Sequence, residues 1–482
     1  MVSNNVKKLF ELLNKNDVLY CHWKSTDHLL ASFQAKTDLD VLVSKHDSRK
    51  LESILNSLGF IRMHTPDIRT YPGVEDFVLF DHELERWIHF HLHYQLPCGD
   101  RWVKSYHLPI ENYLLERRIW NDEFNIYIID EVSEYLFMLL RMHMKWRLPY
   151  KKQSVIKENE FLRLRVISKG ISFQTLKRHP FYQHLLEKTV HDYFEGRVND
   201  RLIDIIRCNI KQNSLRRHSY FKHVFIRATR YLSRIRVEFS RRVFKDFSYG
   251  RRSIHNGGRL VVFLGMDGAG KTSMLSEAAS MFSKQMNVTS VFLGTGESGA
   301  GFARRLILKI FKRKLSSNKL KKTGGEKNIS LPKLLWIYLC IRDREREVFK
   351  LTRAMANGSL VLVDRWPQID VKGFADYPKL SDVSSSSFLV DYLRRREGNL
   401  FNKIKKLDVD KCLYFNISPE TSLIRKPHDL TLDLATSYVN ALDTITSNNF
   451  PSTVVRMDAD REYNIVRNKT FFEIWNTISY GL

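Results

Sequence analysis

Cysteine is scarce in this chain, and its few copies are spread out. The five cysteines are Cys21, Cys98, Cys208, Cys340 and Cys412. An odd number of cysteines without paired spacing argues against a disulfide framework and against a cysteine-based zinc site. It fits a reducing compartment better than an oxidising one.

Long hydrophobic runs are also missing. The densest apolar stretches, such as residues 334–341, are too short to cross a bilayer. The first residues lack the apolar core of a signal peptide. We therefore expect a cytoplasmic protein, and a peripheral position on the inner face of the membrane stays open as an alternative.

Acidic residues are outnumbered by basic ones, 53 to 78, which leaves a formal net charge of +25. This excess favours anionic partners, such as nucleic acid, an acidic membrane surface or phosphorylated substrates, without choosing among them. The length of 482 residues and the apolar fraction of 43% predict two or three domains with proper cores.

The most informative segment is 260–272, where the apolar run LVVFL leads into GMDGAGKT. Four residues separate the two outer glycines, and lysine and threonine follow, as in a phosphate-binding loop. Glycines let successive N–H groups turn toward a phosphate, and the helix predicted over 272–284 would point its positive end at the same anion. We therefore expect a nucleoside triphosphate to contact Gly265, Gly268, Ala269, Gly270, Lys271, Thr272 and Ser273. An ordinary glycine turn between a strand and a helix is the alternative.

Further residues suggest that a phosphate is transferred as well as bound. Thr272 offers Mg²⁺ a hydroxyl, and Asp364, at the end of a predicted strand, offers a carboxylate. Its neighbour Arg365 can grip an acceptor phosphate through two parallel hydrogen bonds. A plain surface ion pair of Asp364 with Arg365 is the other interpretation.

There are two further candidate site residues, one inside the loop and one on a later predicted helix. Asp267, inside the loop, can accept a hydrogen bond from an acceptor hydroxyl, or it can simply brace the loop. Arg425 follows the helix start Ser418-Pro419-Glu420. It can supply transition-state charge that Ala269 cannot, although a solvated helix face would look the same.

Four segments organise the chain. We predict a first domain over 1–130, with strands at 40–43, 76–80, 87–93 and 124–129, and then a helical region over 131–213. A basic connector follows over 214–258. In the last domain, 259–482, strands at 260–264, 291–293, 359–363, 412–415 and 454–457 alternate with helices, which predicts a parallel sheet flanked by helices. The expected fold class is α/β, with an α+β first domain and its helical extension.

The C-terminal motifs resemble the thymidylate kinase-like branch of the P-loop kinases. They are GMDGAGKT at 265–272, Ala-Asn-Gly at 356–358, Asp364-Arg365, Ser-Pro-Glu at 418–420 and Met-Asp-Ala at 457–459. The resemblance implies ATP and Mg²⁺ as cofactors, Asp267 facing the acceptor's sugar hydroxyl and Arg365 contacting its phosphate. It also implies an acceptor-binding arginine, for which Arg342 and Arg344 lie nearest.

The acceptor side departs from that branch. Residues 294–299 replace the Arg-Glu-Pro segment that helps bind the base, and both 366–370 and 376–378 are foreign to thymidylate kinases. We therefore expect phosphorylation of something other than thymidylate. A lysine- and arginine-rich stretch at 304–327 is expected to be an insertion on the acceptor side, as a mobile or a solubilising loop.

Near the N-terminus, Asp38 and Asp40 begin an apolar strand and point to the same side, as a Mg²⁺-binding pair would. Two solvated turn carboxylates would look identical. With residues 21–25 and 87–96, they resemble the nucleotidyltransferase fold, but histidine replaces the expected third acid. His89, His91 and His93 alternate on one strand face, so they can bind a transition metal or simply hydrogen-bond to the carboxylates.

The basic connector carries thirteen Lys/Arg between residues 214 and 259, against two acids. Its interleaved aromatic residues fit an anionic membrane surface, a linker helix packed by its apolar stripe, or nucleic acid bound through phosphates. No recognised nucleic-acid module accompanies it, so nucleic acid is the least favoured partner.

Fusion of these two domain types resembles a bacterial family associated with surface-polysaccharide synthesis. The resemblance implies an ATP-dependent kinase whose acceptor is a sugar or glycan. Three alternatives stay open: a bifunctional nucleotidyltransferase and kinase, a nucleotide-binding regulatory module without an acceptor, and an enzyme that phosphorylates nucleic-acid ends.

Overall fold

The computed structural model divides the chain into two compact units, Met1–Lys245 and Asp246–Leu482. The structure describes residues 1–24, 26–99, 103–145, 162–180, 182, 187–195, 217–244, 250–294, 331–374, 376–381, 383, 387–427 and 431–479. The predicted insertion at 304–327 lies outside these residues, as does much of the predicted helical region. The ranges of the four predicted segments stay predictions.

Strands form the centre of the N-terminal unit. They are β1 (Tyr20–His22), β2 (Leu39–Val43), β3 (Ile61–His64), β4 (Val74–Asp81), β5 (Arg86–His93), β6 (Leu96–Cys98), β7 (Tyr106–Leu108), β8 (Ile119–Asn121) and β9 (Ile126–Ile128). The main sheet has the order β3-β4-β5-β2-β1-β9-β8, and β6 pairs with β7 apart from it. The sheet is mixed, because β2 runs parallel to β5 while β4 runs antiparallel to it. A short turn joins the antiparallel strands β4 and β5, whereas the parallel pair β2 and β5 needs a longer connection.

The N-terminal unit also contains helices. They are α1 (Asn4–Lys15), α2 (Leu29–Phe33), α3 (Ser48–Ser57), α4 (Glu111–Glu116), α5 (Glu131–Lys145), α6 (Phe173–Lys177), α7 (Glu187–Phe194) and α8 (Tyr220–Phe244). Residues 162–168 are helical too. The first helix shows why they form: Ser3 caps its first turn, and its buried residues Val6, Leu9, Phe10 and Leu13 follow helical spacing.

The helical extension shares a core with the sheet. Buried side chains of α5, such as Leu136 and Leu139, form one hydrophobic cluster with Leu42 of β2 and Val190 of α7. Arg163 donates to the hydroxyl of Thr26, between β1 and α2, at 3.0 Å, and it also contacts Glu134 of α5 at 3.0 Å. The predicted helical region therefore packs on the first domain wherever the structure describes it.

The basic helix α8 is anchored to the same unit by arginines. The backbone N–H of Arg217, just before it, donates to the carbonyl of Ser105 at 2.7 Å. Arg230 donates to the carbonyl of Thr70 at 3.3 Å, and its guanidinium lies 5.3 Å from the ring centroid of Tyr71. Much of the apolar surface of α8 stays exposed, with Phe221 at 85% and Phe225 at 69%.

The C-terminal unit is a parallel sheet with helices. The strands of this sheet are β11 (Arg259–Gly265), β12 (Val288–Phe292), β13 (Leu360–Asp364), β14 (Lys411–Asn416) and β15 (Val454–Asp458), and the short strand β10 (Ser253–Ile254) precedes them in the chain. Its helices are α9 (Lys271–Phe282), α10 (Leu331–Ala356), α11 (Phe388–Lys405), α12 (Pro419–Arg425), α13 (Leu432–Asn449) and α14 (Tyr463–Ser479).

The order of the five main strands is β12-β13-β11-β14-β15, and every neighbouring pair is parallel. Strands β11 and β13 are buried almost throughout, as expected for a sheet covered on both faces. The predicted α/β class and parallel sheet are confirmed, with strand ends displaced by a few residues; β12, for example, begins at Val288 rather than at residue 291. Within the part of the chain that the structure describes, no helix combines the length and hydropathy of a membrane span.

Candidate functional site

The loop after β11 has the backbone of an anion cradle. Gly265, Gly268 and Gly270 all have positive φ, at 147°, 88° and 80°. Gly270 is the N-cap of α9, so the loop delivers its N–H groups at the positive end of that helix. The glycine-rich pattern therefore has a local cause, because these backbone angles strain any residue with a Cβ.

Gly265 meets a second constraint from the neighbouring strand. A Cβ at this position would lie 2.5 Å from the carbonyl oxygen of Phe415 on β14. The contact is with backbone, which cannot rotate away. Glycine is thus required here both by its φ angle and by the close approach of β14.

Lys271 is buried at the start of α9, with 7% of its surface exposed. Its Nζ donates to the carbonyl of Met266 at 2.7 Å, across the loop. Burial lowers the pKa of Lys271 to about 8, although the carboxylates of Asp267 and Asp364 oppose that shift. The ammonium is held over the loop, where the negative charge of a phosphate would compensate for the water that burial has removed.

Thr272 and Asp364 meet at the carboxyl edge of the sheet. The Thr272 hydroxyl donates to Asp364 Oδ2 at 2.9 Å. Asp364 is 6% exposed, and its other oxygen, Oδ1, is buried with no hydrogen-bond partner among the described residues. An unpartnered carboxylate oxygen beside a hydroxyl is the donor set that Mg²⁺ prefers, so these two residues fit that ion.

Arg365 contacts two carboxylates, one of which belongs to the loop. It has φ of 68°, and its guanidinium donates to Asp267 Oδ1 at 3.0 Å. The second carboxylate is Asp376, 3.9 Å from Arg365 and 3.4 Å from Arg344. Arg344 also donates to the carbonyl of Leu293 at 2.8 Å. Two arginines and two carboxylates therefore form one connected network.

Arg425 is held against the phosphate loop by backbone carbonyls. Its guanidinium donates to Gly268 O at 3.4 Å and to Ala459 O at 3.1 Å. Its helix, α12, touches the loop again where the Ser422 hydroxyl donates to Asp267 O at 2.8 Å. The structure thus places Arg425 at the loop, while Ser273 lies in the first turn of α9.

The predicted carboxylate pair of the N-terminal unit contacts a lysine and histidines. Lys24 Nζ lies 2.7 Å from Asp40 Oδ1, and His91 Nδ1 lies 2.9 Å from the same oxygen. Burial would raise the pKa of Asp40, but Lys24 and the histidines His91 and His93 hold it well below its usual range. Asp38 contacts His89 Nδ1 at 2.8 Å.

The three strand histidines divide into two environments. His89 is bound on both ring nitrogens, since Asp76 lies 2.5 Å from Nε2. His93 Nε2 lies 3.3 Å from His91 Nδ1 and 3.6 Å from Asp40 Oδ1. Among the described residues, the atoms grouped closely enough to hold a metal belong to Asp40, His91 and His93, within 4.8 Å of one another. Asp38, the other predicted metal ligand, is outside this group, and so is His89.

A cavity of about 140 Å³ adjoins this group. His91, His93 and Lys24 line it together with Trp23, Tyr71 and Phe137. Burial lowers the pKa of His93 to about 3, so its ring is neutral at physiological pH. The cavity is largely apolar, with a few polar groups in its wall, as small-molecule pockets are.

The sequence does not predict a site role for Asp376 or Asp76. Asp376 belongs to a segment that is noted only as foreign to thymidylate kinases, yet it contacts Arg344 and Arg365. Asp76 is predicted only as the first residue of a strand, yet it binds His89. Only the pairing of β4 with β5 indicates this contact, because it places Asp76 opposite His91, on the sheet face that carries the three histidines.

Comparison with models of protein families finds no match. Among curated proteins, the chain is 26% identical over 178 residues to the "Uncharacterized ATP-binding protein YghR" of Escherichia coli K12, covering 35% of this chain and 70% of YghR. It is 25% identical over 182 residues to the "Uncharacterized ATP-binding protein YghS" of the same organism, covering 35% and 73%.

Among solved structures, the chain is similar to a thymidylate kinase from Ehrlichia chaffeensis, with 15% identity, 45% of this chain and 97% of that chain covered, and a TM-score of 0.27. A TM-score this low shows neither a shared function nor a shared substrate. The comparisons thus relate this chain weakly to proteins named as ATP-binding.

Proposed function

We propose that the C-terminal unit is an ATP-dependent phosphotransferase of the thymidylate kinase-like type, acting on an acceptor other than thymidylate. The single observation that carries the proposal is the pair of Thr272 and Asp364, 2.9 Å apart beside the buried Lys271. The names of YghR and YghS, both ATP-binding, support ATP as the donor.

In this proposal the donor phosphates lie in the loop. The N–H groups at the start of α9 hold the anion, and Lys271 pairs with the terminal phosphates. Thr272 and Asp364 would hold Mg²⁺, which supplies positive charge to the phosphates when bound. Arg425, fixed beside Gly268, adds charge at the edge of the loop.

The network of Arg365, Asp267, Arg344 and Asp376 would form the acceptor side. Two formal positive charges meet two negative ones there, so the network is neutral overall. A neutral polyhydroxyl acceptor then needs no extra charge partner, and Asp267, nearly half exposed, can accept a hydrogen bond from a hydroxyl. This supports a sugar or glycan, as in cell-envelope polysaccharide synthesis.

The test is phosphate transfer from labelled ATP across nucleotides, sugars, phosphosugars and lipid-linked glycans. Label on a sugar or glycan supports the proposal. Steady hydrolysis with no labelled acceptor would favour the regulatory module, and labelled oligonucleotide ends would favour the nucleic-acid enzyme. Repeating the screen with ATP labelled at the α-phosphate, on the wild type and on Asp38→Ala, shows whether the N-terminal carboxylates contribute a second activity that transfers the nucleotidyl group and releases pyrophosphate.

Arg365→Ala should raise the KM for the acceptor by about 10- to 100-fold and leave the KM for ATP nearly unchanged, because one charge-assisted contact is lost on the acceptor side only. Initial rates at varied acceptor and ATP concentrations measure both constants. Arg353→Ala, an exposed arginine on α10, is the matched control. An equal loss for both substrates would place Arg365 on the donor side instead.

The exposed stripe of α8 supports peripheral binding to an anionic membrane. Its residues Phe221, Phe225, Leu232, Ile235 and Phe239 follow helical spacing and are 49–85% exposed. Lys222, Arg227 and Arg234 lie between them. Apolar anchors among cations suit a surface of acidic lipids.

We expect the chain to co-sediment with vesicles containing phosphatidylglycerol and not with neutral phosphatidylcholine vesicles. The double variant Phe221→Ser/Phe225→Ser should lower the fraction bound at least about fivefold, since two exposed aromatic side chains that would enter the lipid are lost. Binding to both vesicle types alike, or no effect of the double variant, would remove this partner.

A further inference from the structure

The group of Asp40, His91 and His93 has the dimensions of a metal centre. Its three interatomic distances are 2.9, 3.3 and 3.6 Å. A tetrahedral zinc ion with ligands at about 2.0–2.1 Å separates its ligand atoms by about 3.3 Å. The three donor atoms thus already lie at the spacing that one ion would impose.

We propose that Asp40, His91 and His93 bind one divalent transition metal of the zinc class, with an exchangeable fourth ligand in the adjoining cavity. This proposal does not depend on the kinase assignment, because all three residues belong to the N-terminal unit.

The donor chemistry selects the metal. Imidazole suits zinc, cobalt, nickel and copper, whereas Mg²⁺ prefers oxygen ligands and keeps its waters. His89 is excluded as a ligand because both of its ring nitrogens contact carboxylates, Asp38 and Asp76. Three protein ligands that leave one position open are typical of zinc sites that exchange a water or substrate.

The cavity provides space for a ligand at the open coordination position of the ion. His91 and His93 both line it, and about 140 Å³ accommodates a water or a small ligand group. Lys24, also in the lining, contacts the same Asp40 oxygen that the ion would bind. In the metal-free chain the ammonium therefore supplies the positive charge, and it competes with the ion.

The experiment titrates the full-length, tag-free, chelator-treated chain with Co²⁺, followed by the visible absorption of the bound ion, and then displaces Co²⁺ with Zn²⁺ or Mg²⁺. We expect one equivalent to bind with the spectrum of a low-coordinate centre, and Zn²⁺ but not millimolar Mg²⁺ to displace it. His91→Ala and His93→Ala should each weaken binding by about 100-fold or more, beyond the loss typical of outer residues. His46→Ala, an exposed histidine of the same unit, is the control.

The variant Lys24→Met distinguishes metal binding by Asp40, His91 and His93 from a purely structural role of these three residues. It removes the competing ammonium, so Co²⁺ affinity should rise about five- to tenfold. Thermal unfolding verifies folding, because added Zn²⁺ should raise the Tm of the wild type and of Lys24→Met but not of His91→Ala. The proposal is overturned by absent binding, by binding that survives both histidine variants, by equal displacement with Mg²⁺, or by weaker binding in Lys24→Met.

Discussion

Lys271→Met should abolish ATP-dependent phosphoryl transfer, with a loss of at least about a thousandfold in kcat/KM. Methionine keeps much of the length and volume of lysine, so the buried position stays filled. It lacks the ammonium that is buried above the loop and hydrogen-bonded to Met266 O. Transfer measured with the cognate acceptor provides the test.

Lys284→Met is the matched control, because this lysine lies just beyond the end of α9, where its Nζ contacts Met281 Sδ at 3.7 Å. Its variant should transfer phosphate at the wild-type rate. Transfer that survives Lys271→Met at a comparable rate would contradict the kinase proposal, whichever acceptor is used.

The pH dependence of ATP binding offers a second readout on the same residue. Burial lowers the pKa of Lys271 to about 8 from a usual value near 10.5. Above pH 8 the free chain therefore loses this proton, and binding a polyanion requires taking it back. We expect ATP affinity to fall by up to about tenfold per pH unit above 8. Lys271→Arg should remove this dependence, because a guanidinium stays charged.

The C-terminal half could be predicted well because its signals are local. The loop pattern fixes a strand, a turn and a helix within about twenty residues, and the buried strands β11 and β13 appear as continuous apolar runs. The positions of Thr272 and Asp364 follow, because β11 and β13 are parallel neighbours whose carboxyl ends meet at one edge.

The contacts that could not be predicted join segments far apart in sequence. Asp376 reaches Arg344 from a segment without regular structure, so no periodicity places it. Asp76 meets His89 only because β4 and β5 pair in one particular register. The division of the histidines follows from this register together with that of β2 and β5: Asp76 and Asp38 contact His89, and His91 and His93 are left to Asp40.

Asp364→Asn should lower Mg²⁺-dependent transfer by about 100- to 1000-fold, because a neutral amide is a poor ligand for a hard cation. The size and shape of the side chain are kept, and Thr272 can still donate to the amide oxygen. The unpartnered Oδ1 of Asp364 is the atom whose charge is lost. Rates measured over a range of Mg²⁺ concentrations should show a much higher requirement for the ion.

Nucleotide binding without metal separates this role from a structural one. In the presence of a chelator, Asp364→Asn should bind ATP at least as tightly as the wild type, because a negative charge beside the phosphates has been removed. Asp408→Asn, an exposed acid before the amino end of β14, should change neither measurement. If Asp364→Asn lost metal-free binding as severely as transfer, the carboxylate would be bracing the loop through Thr272, and the metal would have to be bound elsewhere.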